Sequence, residues 1–344
     1  MKRAALPARQ AWPDYAKGVG ILLMSLGHSA IPPKWLGVWI YSFHMPLFFL
    51  LSGWFFALTD DSPWRTIRHK AFPILMPMVS YGLAKWLCSA LGALAGGGVP
   101  DFAPLLGVAL QWPGTPYAGA VWFFPGLFVG EWVFALLLKA LRRRPRLLVG
   151  ASFLLAGAVY AAVGLGMPRL PWHAGAACLL LPYLALGWYA RRHQEALFAF
   201  SRRHFASAAL VLLALNVGLT ALNLGFGTYH IDYNLRRLNE FFTCYAAGAA
   251  GVALCVHLCR ALPRLRPLAF LGEYSAVYYA VGWLGSNAAH HAVRALWPVR
   301  GLPLLLVHLA GLALVPVPLI LLLRRLCPAL MGKRRPNRKE AAVR

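Results

Sequence analysis

The chain is 344 residues long and 60% hydrophobic, with only 13% charged residues and a mean hydropathy of +0.59. Soluble domains carry nearer to about 25% charged residues, so these values exclude an ordinary soluble protein and indicate a polytopic membrane protein. The formal charge of +24 does not mark a nucleic-acid binder. The basic residues punctuate the chain between apolar runs, at 65–70, 139–146, 191–203, 260–266 and 324–344, as cytoplasmic loops do.

In chain order, ten segments have the length and apolarity of membrane-spanning helices: 16–33, 36–58, 71–92, 119–139, 147–166, 173–190, 205–225, 238–260, 268–292 and 301–323. Basic residues precede the first segment, as in a signal peptide. It closes on IPPK rather than on a small-residue cleavage site, which predicts a retained first helix. With the N-terminus in the cytoplasm and the chain alternating, 27 of the 34 basic residues fall on the cytoplasmic side and six fall outside. That bias predicts an all-α bundle of about ten transmembrane helices, N-in and C-in. It forms one domain over 1–330, followed by a basic cytoplasmic tail, 331–344, attracted to anionic lipid. The Gly/Pro-rich external stretch 93–118 is long enough to cover an active-site mouth. The six cysteines lie mostly inside apolar runs without ligand spacing, so they are read as packing residues, and no metal site is expected.

Ionisable groups inside such runs carry the functional signal. In DYAKGVGILLMSLGHSAI, His28 stands eleven residues after Lys17, about 16 Å along a helix, or roughly half the hydrocarbon thickness. Lys17 therefore stays at the cytoplasmic face while His28 reaches deep into the membrane. Asp14, three residues before Lys17, is either a ligand-binding group or a first-turn acid paired with Lys17. The second helix descends through GVWIYSFHMPLFFLLSGWFFA and brings His44 to a depth within about 6 Å of that of His28. Pro46 predicts a kink there, and Ser52-Gly53 a close packing point. His44 either faces a shared cavity or hydrogen-bonds a neighbouring carbonyl.

Glu131 is the one carboxylate near the middle of a helix, and it requires a partner such as Lys85 or a histidine. Trp122 either stacks on a sugar ring or belongs to the interfacial aromatic belt. The external stretch GFGTYHIDYNLRRLNEFF groups His230, Asp232, Asn234, Arg236, Arg237, Asn239 and Glu240. Such a set suits a hydroxyl-rich or anionic ligand, or an ordinary solvated loop.

Four segments resemble one family. DYAKGVGILLMSLGHS carries a basic residue, ten others and a histidine, and FHMPLFFLLSGWFF follows it. WFFPGLF lies at 122–128 and LGEYSAVYY at 271–279. Together they are similar to the motifs of the acyltransferase-3 family. Two positions depart from it. Lys17 stands where the family often has arginine, a point charge in place of a bidentate fork. VYYAVGWLG lacks the histidine that closes many members' corresponding segment, a role that is either dispensable or open to His290 or His291.

The resemblance implies an integral membrane O-acyltransferase of a bacterial inner membrane that acetylates a cell-surface or lipid-linked carbohydrate such as exopolysaccharide. No cofactor is permanently bound, and acetyl-CoA is the acyl donor. Lys17 and nearby loop arginines would meet the donor's phosphates, with Asp14 beside Lys17 at the same donor-binding site. His28 would be the general base, assisted by His44, or by Glu131 orienting a histidine. Trp122, Asp232, Asn234, Arg236 and Arg237 would contact the acceptor. On physics alone a carrier or flippase of a lipid-linked sugar also fits polytopy with buried His and Glu, although no paired repeat of broken helices is present.

Overall fold

The computed structural model describes residues 10–28, 33–115, 121–296 and 301–333, of which the side chains of 283–290, 293, 294 and 296 are not described. The His290 side chain, the first nine residues and the tail beyond 333 thus lie outside what is described. The helices are α1 (Trp12–Gly27), α2 (Lys34–Tyr41), α3 (His44–Trp54), α4 (Pro63–Ala95), α5 (Ala103–Leu110), α6 (Phe123–Ala140), α7 (Pro145–Gly164), α8 (Ala174–Arg192), α9 (Gln194–Arg203), α10 (Phe205–Gly225), α11 (Phe241–Ala261), α12 (Arg266–Glu273), α13 (Ser275–Leu296), α14 (Gly301–Leu314) and α15 (Pro316–Leu326). Among the described residues, extended pairing is limited to two isolated bridges, Thr59 with Ser62 and Asp232 with Arg237.

Among the described residues, each of the ten expected spans overlaps a helix or a pair of successive helices, and seven of them meet both length and apolarity requirements for crossing a bilayer. The other three are α1, at 16 residues, α8, and the α12–α13 pair. α8 is the centre of the bundle: Leu179 to Ala185 are buried without interruption, so the helix is apolar all round and surrounded by neighbours. Gly53 of α3 and Gly187 of α8 let these two backbones touch. A Cβ on Gly53 would strike the Leu184 carbonyl, and one on Gly187 the Leu50 carbonyl and the Trp54 amide. Close approach through small residues is how membrane helices associate where burial of apolar surface contributes little.

The structure refines the expected segments. The second span is broken at Ser42–Phe43 into α2 and α3. Pro46 explains the position, because it has no N–H to donate to the carbonyl four residues earlier, that of Ser42. α4 has 33 residues and starts at Pro63, capped by the Ser62 hydroxyl accepting from the Arg65 amide, so residues 65–70 are helix and not loop. At about 50 Å it outreaches the hydrocarbon layer. The stretch 93–118 contains α5, with Val108 seated at Gly82 of α4. The basic stretch 191–203 is largely α9.

Loop contacts segregate as alternation requires. Lys139 and Arg143 both pair with Asp61. Trp54 meets Trp12 at 5.3 Å and Phe198 at 5.6 Å between ring centroids, while Arg191 lies over Trp54 and Arg260 over Phe198. These residues all belong to the side assigned to the cytoplasm by charge. On the opposite side Tyr160 donates to the Asn239 carbonyl, Trp172 to that of Gln111, and Arg236 to those of Met167 and Pro168.

Overpacking the α3–α8 contact is expected to be costly. Gly187→Val should lower stability by about 1–3 kcal/mol or more, read as thermal unfolding in detergent. Gly150→Ala in α7, where an added Cβ meets nothing within 4 Å, should stay within about 0.5 kcal/mol of wild type.

Candidate functional site

One cavity of about 320 Å³ runs between α1, α3, α4, α6 and α13. Its lining follows one stripe per helix, as i, i+3 and i+4 spacing dictates: Lys17 and Ile21 on α1, Phe48, Leu51, Ser52 and Phe55 on α3, Lys70 and Ile74 on α4, Phe123, Leu127 and Glu131 on α6, and Ser275 and Tyr279 on α13. Its mouth lies on the side that the charge bias assigns to the cytoplasm, where Lys17 and Lys70 keep about a third and a quarter of their side chains accessible and Phe55 is exposed. The inner wall is aromatic: Phe123 packs at 5.6 Å from Phe48 and 5.5 Å from Tyr279.

Residues 17, 21, 24 and 28 share one face of α1, and residues 44, 48, 51 and 55 share one face of α3. The two helices run antiparallel, so the stripes that bound the cavity near Lys17 and Phe55 continue outward to His28 and His44. There the two imidazoles meet edge to face, with centroids 6.2 Å apart. Tyr41 packs against His28 at 5.2 Å, His44 at 5.0 Å and His230 at 4.2 Å. His28 caps the end of α1 and is exposed, whereas His44 is buried.

Each of the two has its Nδ1 on a backbone carbonyl, His28 on Met24 at 2.9 Å and His44 on Ile40 at 3.0 Å. A carbonyl only accepts, so Nδ1 carries the hydrogen in the neutral ring and Nε2 carries the lone pair. Each imidazole is thus held in the tautomer whose Nε2 can remove a proton.

Glu131 is 2% exposed. Its Oε1 accepts from the Ser52 hydroxyl and from Lys70 Nζ at 2.9 Å. The sequence-based expectation of Lys85 or a histidine as its partner is therefore corrected: the cation is Lys70, and among the described residues no histidine is oriented by Glu131. Lys70 was hidden because 65–70 reads as a basic loop, although Ser62-Pro63 is a helix-start signal that places it in the second turn of α4. Asp14 is buried beside α12, with its Oδ1 3.6 Å from Lys17 Nζ; it pairs with the lysine and does not line the cavity.

The outer-loop residues divide. Trp122 is buried in the core, 6.0 Å from His173, and offers no open face to a sugar ring. Arg236 spends its Nη1 on the carbonyls of Met167 and Pro168, as a strap between loops. Asp232 closes its own turn by accepting from the Leu235 amide and pairing with the Arg237 backbone, and the Arg237 side chain lies exposed over Tyr229. Asn234 is half-buried. Asn223 and Asn239 brace the loop through the carbonyls of Leu238, Glu240 and Tyr229. The loop is a folded platform whose yield to the site is His230, laid on Tyr41. His291, on α13, is exposed.

Two outcomes test this geometry. Lys70→Met should destabilise the chain by about 3–5 kcal/mol, because it strands a buried carboxylate. The double variant Lys70→Met/Glu131→Gln should recover most of that loss in detergent unfolding; additive losses would mean that the two groups do not act as a pair. Burial lowers the His230 pKa from 6.5; Asp232 opposes the shift, and His28 and Arg237 add to it. The unfolded chain then takes up this proton first, so stability is lost as pH falls through about 6.5 toward the folded value. His230→Asn should flatten the fall in stability between pH 7 and 5.

The segments at 43–56, 122–128 and 271–279, with Lys17 from the first motif, thus converge on this single cavity. Neither the curated proteins nor the solved structures compared with the chain gave a match. A family profile described as an acyltransferase domain matches residues 10–323, nearly the whole helical bundle, and by that match the chain belongs to the acyltransferase-3 family of membrane acyltransferases.

Proposed function

We propose that the protein is an O-acyltransferase of a bacterial inner membrane that moves an acetyl group from cytoplasmic acetyl-CoA to a hydroxyl of a cell-surface or lipid-linked carbohydrate. The observation that carries this reading is the continuous α1 stripe from Lys17, at the mouth of the cavity, to the exposed His28, whose Nδ1 is held on the Met24 carbonyl so that Nε2 carries the lone pair. The axial distance is about 16 Å, a length that the extended arm of coenzyme A covers.

Lys17 and neighbouring cations meet the donor's phosphates at the mouth. The acceptor hydroxyl approaches from the outside, where His28 is exposed. His28 Nε2 takes the hydroxyl proton as the oxygen attacks the thioester carbonyl carbon. The C–S bond then breaks as the tetrahedral intermediate collapses, and the imidazolium returns its proton to the departing thiolate. A hydroxyl is a weak nucleophile, and a base with a lone pair already aimed at it raises the rate by about 10²–10⁴. Tyr41 and His44 hold the His28 ring from below, and His230 closes the same cluster from the outer loop.

The expected result for His28→Ala is a loss of about 10²–10⁴ in acetyl transfer, with normal protein level and unchanged unfolding temperature. The measurement is labelled acetyl transfer from acetyl-CoA to native glycan in membranes. Unchanged transfer in that variant would remove His28 from the chemistry.

A further inference from the structure

We propose that Glu131 is the recognition residue that seats the amide-bearing arm of the acyl donor in the cavity, with its Oε2 accepting an amide N–H of that arm. The inference rests on the donor reading above and assigns Glu131 a role distinct from proton transfer.

The cavity sets the size of the ligand. About 320 Å³ lies at the lower end of the range for small-molecule pockets, roughly 300–1,000 Å³. It suits a slender chain, and a nucleotide would have to stay outside, among the cations at the mouth. The walls are mostly apolar, with Ile21, Phe48, Leu51 and Phe123 facing inward, which favours an arm whose body is aliphatic.

Besides Lys17 at the mouth and Ser275 and Tyr279 on α13, the polar lining is one cluster partway in. Lys70 balances the charge of Glu131, and Ser52 donates to the same oxygen, Oε1. Oε2 is buried, belongs to a residue lining the cavity, and accepts no hydrogen bond within the protein. Leaving such an oxygen unmatched costs about 1–3 kcal/mol, and more on a charged group. A ligand that brings an N–H to it removes that cost. The pantetheine arm of coenzyme A carries two secondary amides, each with one N–H, separated by short aliphatic links. An ammonium ligand is disfavoured, because Lys70 already supplies the positive charge. A plain fatty chain would leave Oε2 unmatched.

The test uses the full chain in detergent and two donors, S-acetylpantetheine and its analogue with both amides replaced by esters, which lacks the N–H groups but keeps the length and the thioester. In wild type the ester analogue should lose roughly 10- to 100-fold in kcat/KM, mainly through KM, as a hydrogen bond to a charged group implies. In Lys70→Met/Glu131→Leu, which leaves neither a lone buried charge nor an acceptor for the N–H, the preference should fall below about threefold. Equal use of both donors by wild type would overturn the inference, as would a preference that survives in the double variant, while acetyl transfer itself stands. Absence of transfer from acetyl-CoA and from both donors in wild type would instead overturn the donor reading and this inference with it.

Discussion

Pro46 has no N–H to give the Ser42 carbonyl, and the outer half of the site follows from that missing bond. The second span breaks at Ser42–Phe43, so His44 begins a new helix and its ring turns back onto the Ile40 carbonyl. The break itself is braced: Ser42 donates to the Trp39 carbonyl, and Asn216 of α10 donates to Ser42 and to the Ala247 carbonyl. Tyr41, the last residue of α2, is left among three imidazoles. A straight helix would have given His44 an ordinary core setting. The broken one gives it a fixed tautomer beside His28.

The inner half depends on a different constraint. A carboxylate on α6 within an apolar bundle must be matched, and Lys70 reaches it from the second turn of α4. The Lys70 ammonium also lies 4.6 Å from the centre of the Phe56 ring, which helps to hold a cation away from bulk water. Between the two halves stand Phe48, Phe123 and Tyr279. On the proposed reading these aromatics flank the arm of the donor, so that phosphates and acceptor never share a compartment.

Much of this was legible in the sequence, for reasons that differ by residue. The ten spans announce themselves through length and apolarity, and their alternation through the placement of cations. Lys17 and His28 stand out because ionisable groups in such runs are rare, and their spacing alone puts them on one face. Contacts between helices far apart in sequence are a different matter. Nothing in the spacing of Glu131 points to Ser52, 79 residues earlier, or to Lys70, 61 residues earlier. Trp122 reads as a surface aromatic because it lies near a helix end, yet the fold buries it. Arg236 reads as a ligand for an anion, but the carbonyls it straps lie in a loop some seventy residues away. Tyr41 carries no charge and gave no signal at all, although the broken span makes it the hub of the histidine cluster.

The most direct measurement is the sidedness of the reaction in proteoliposomes with the protein in one orientation. Labelled acetyl-CoA is enclosed with the basic-loop face, and the glycan acceptor is supplied only on the His28 face. The expected result is label on the outside acceptor while coenzyme A stays enclosed. Transfer only when donor and acceptor are supplied on the same side would contradict a site entered by the donor at Lys17 and by the acceptor at His28.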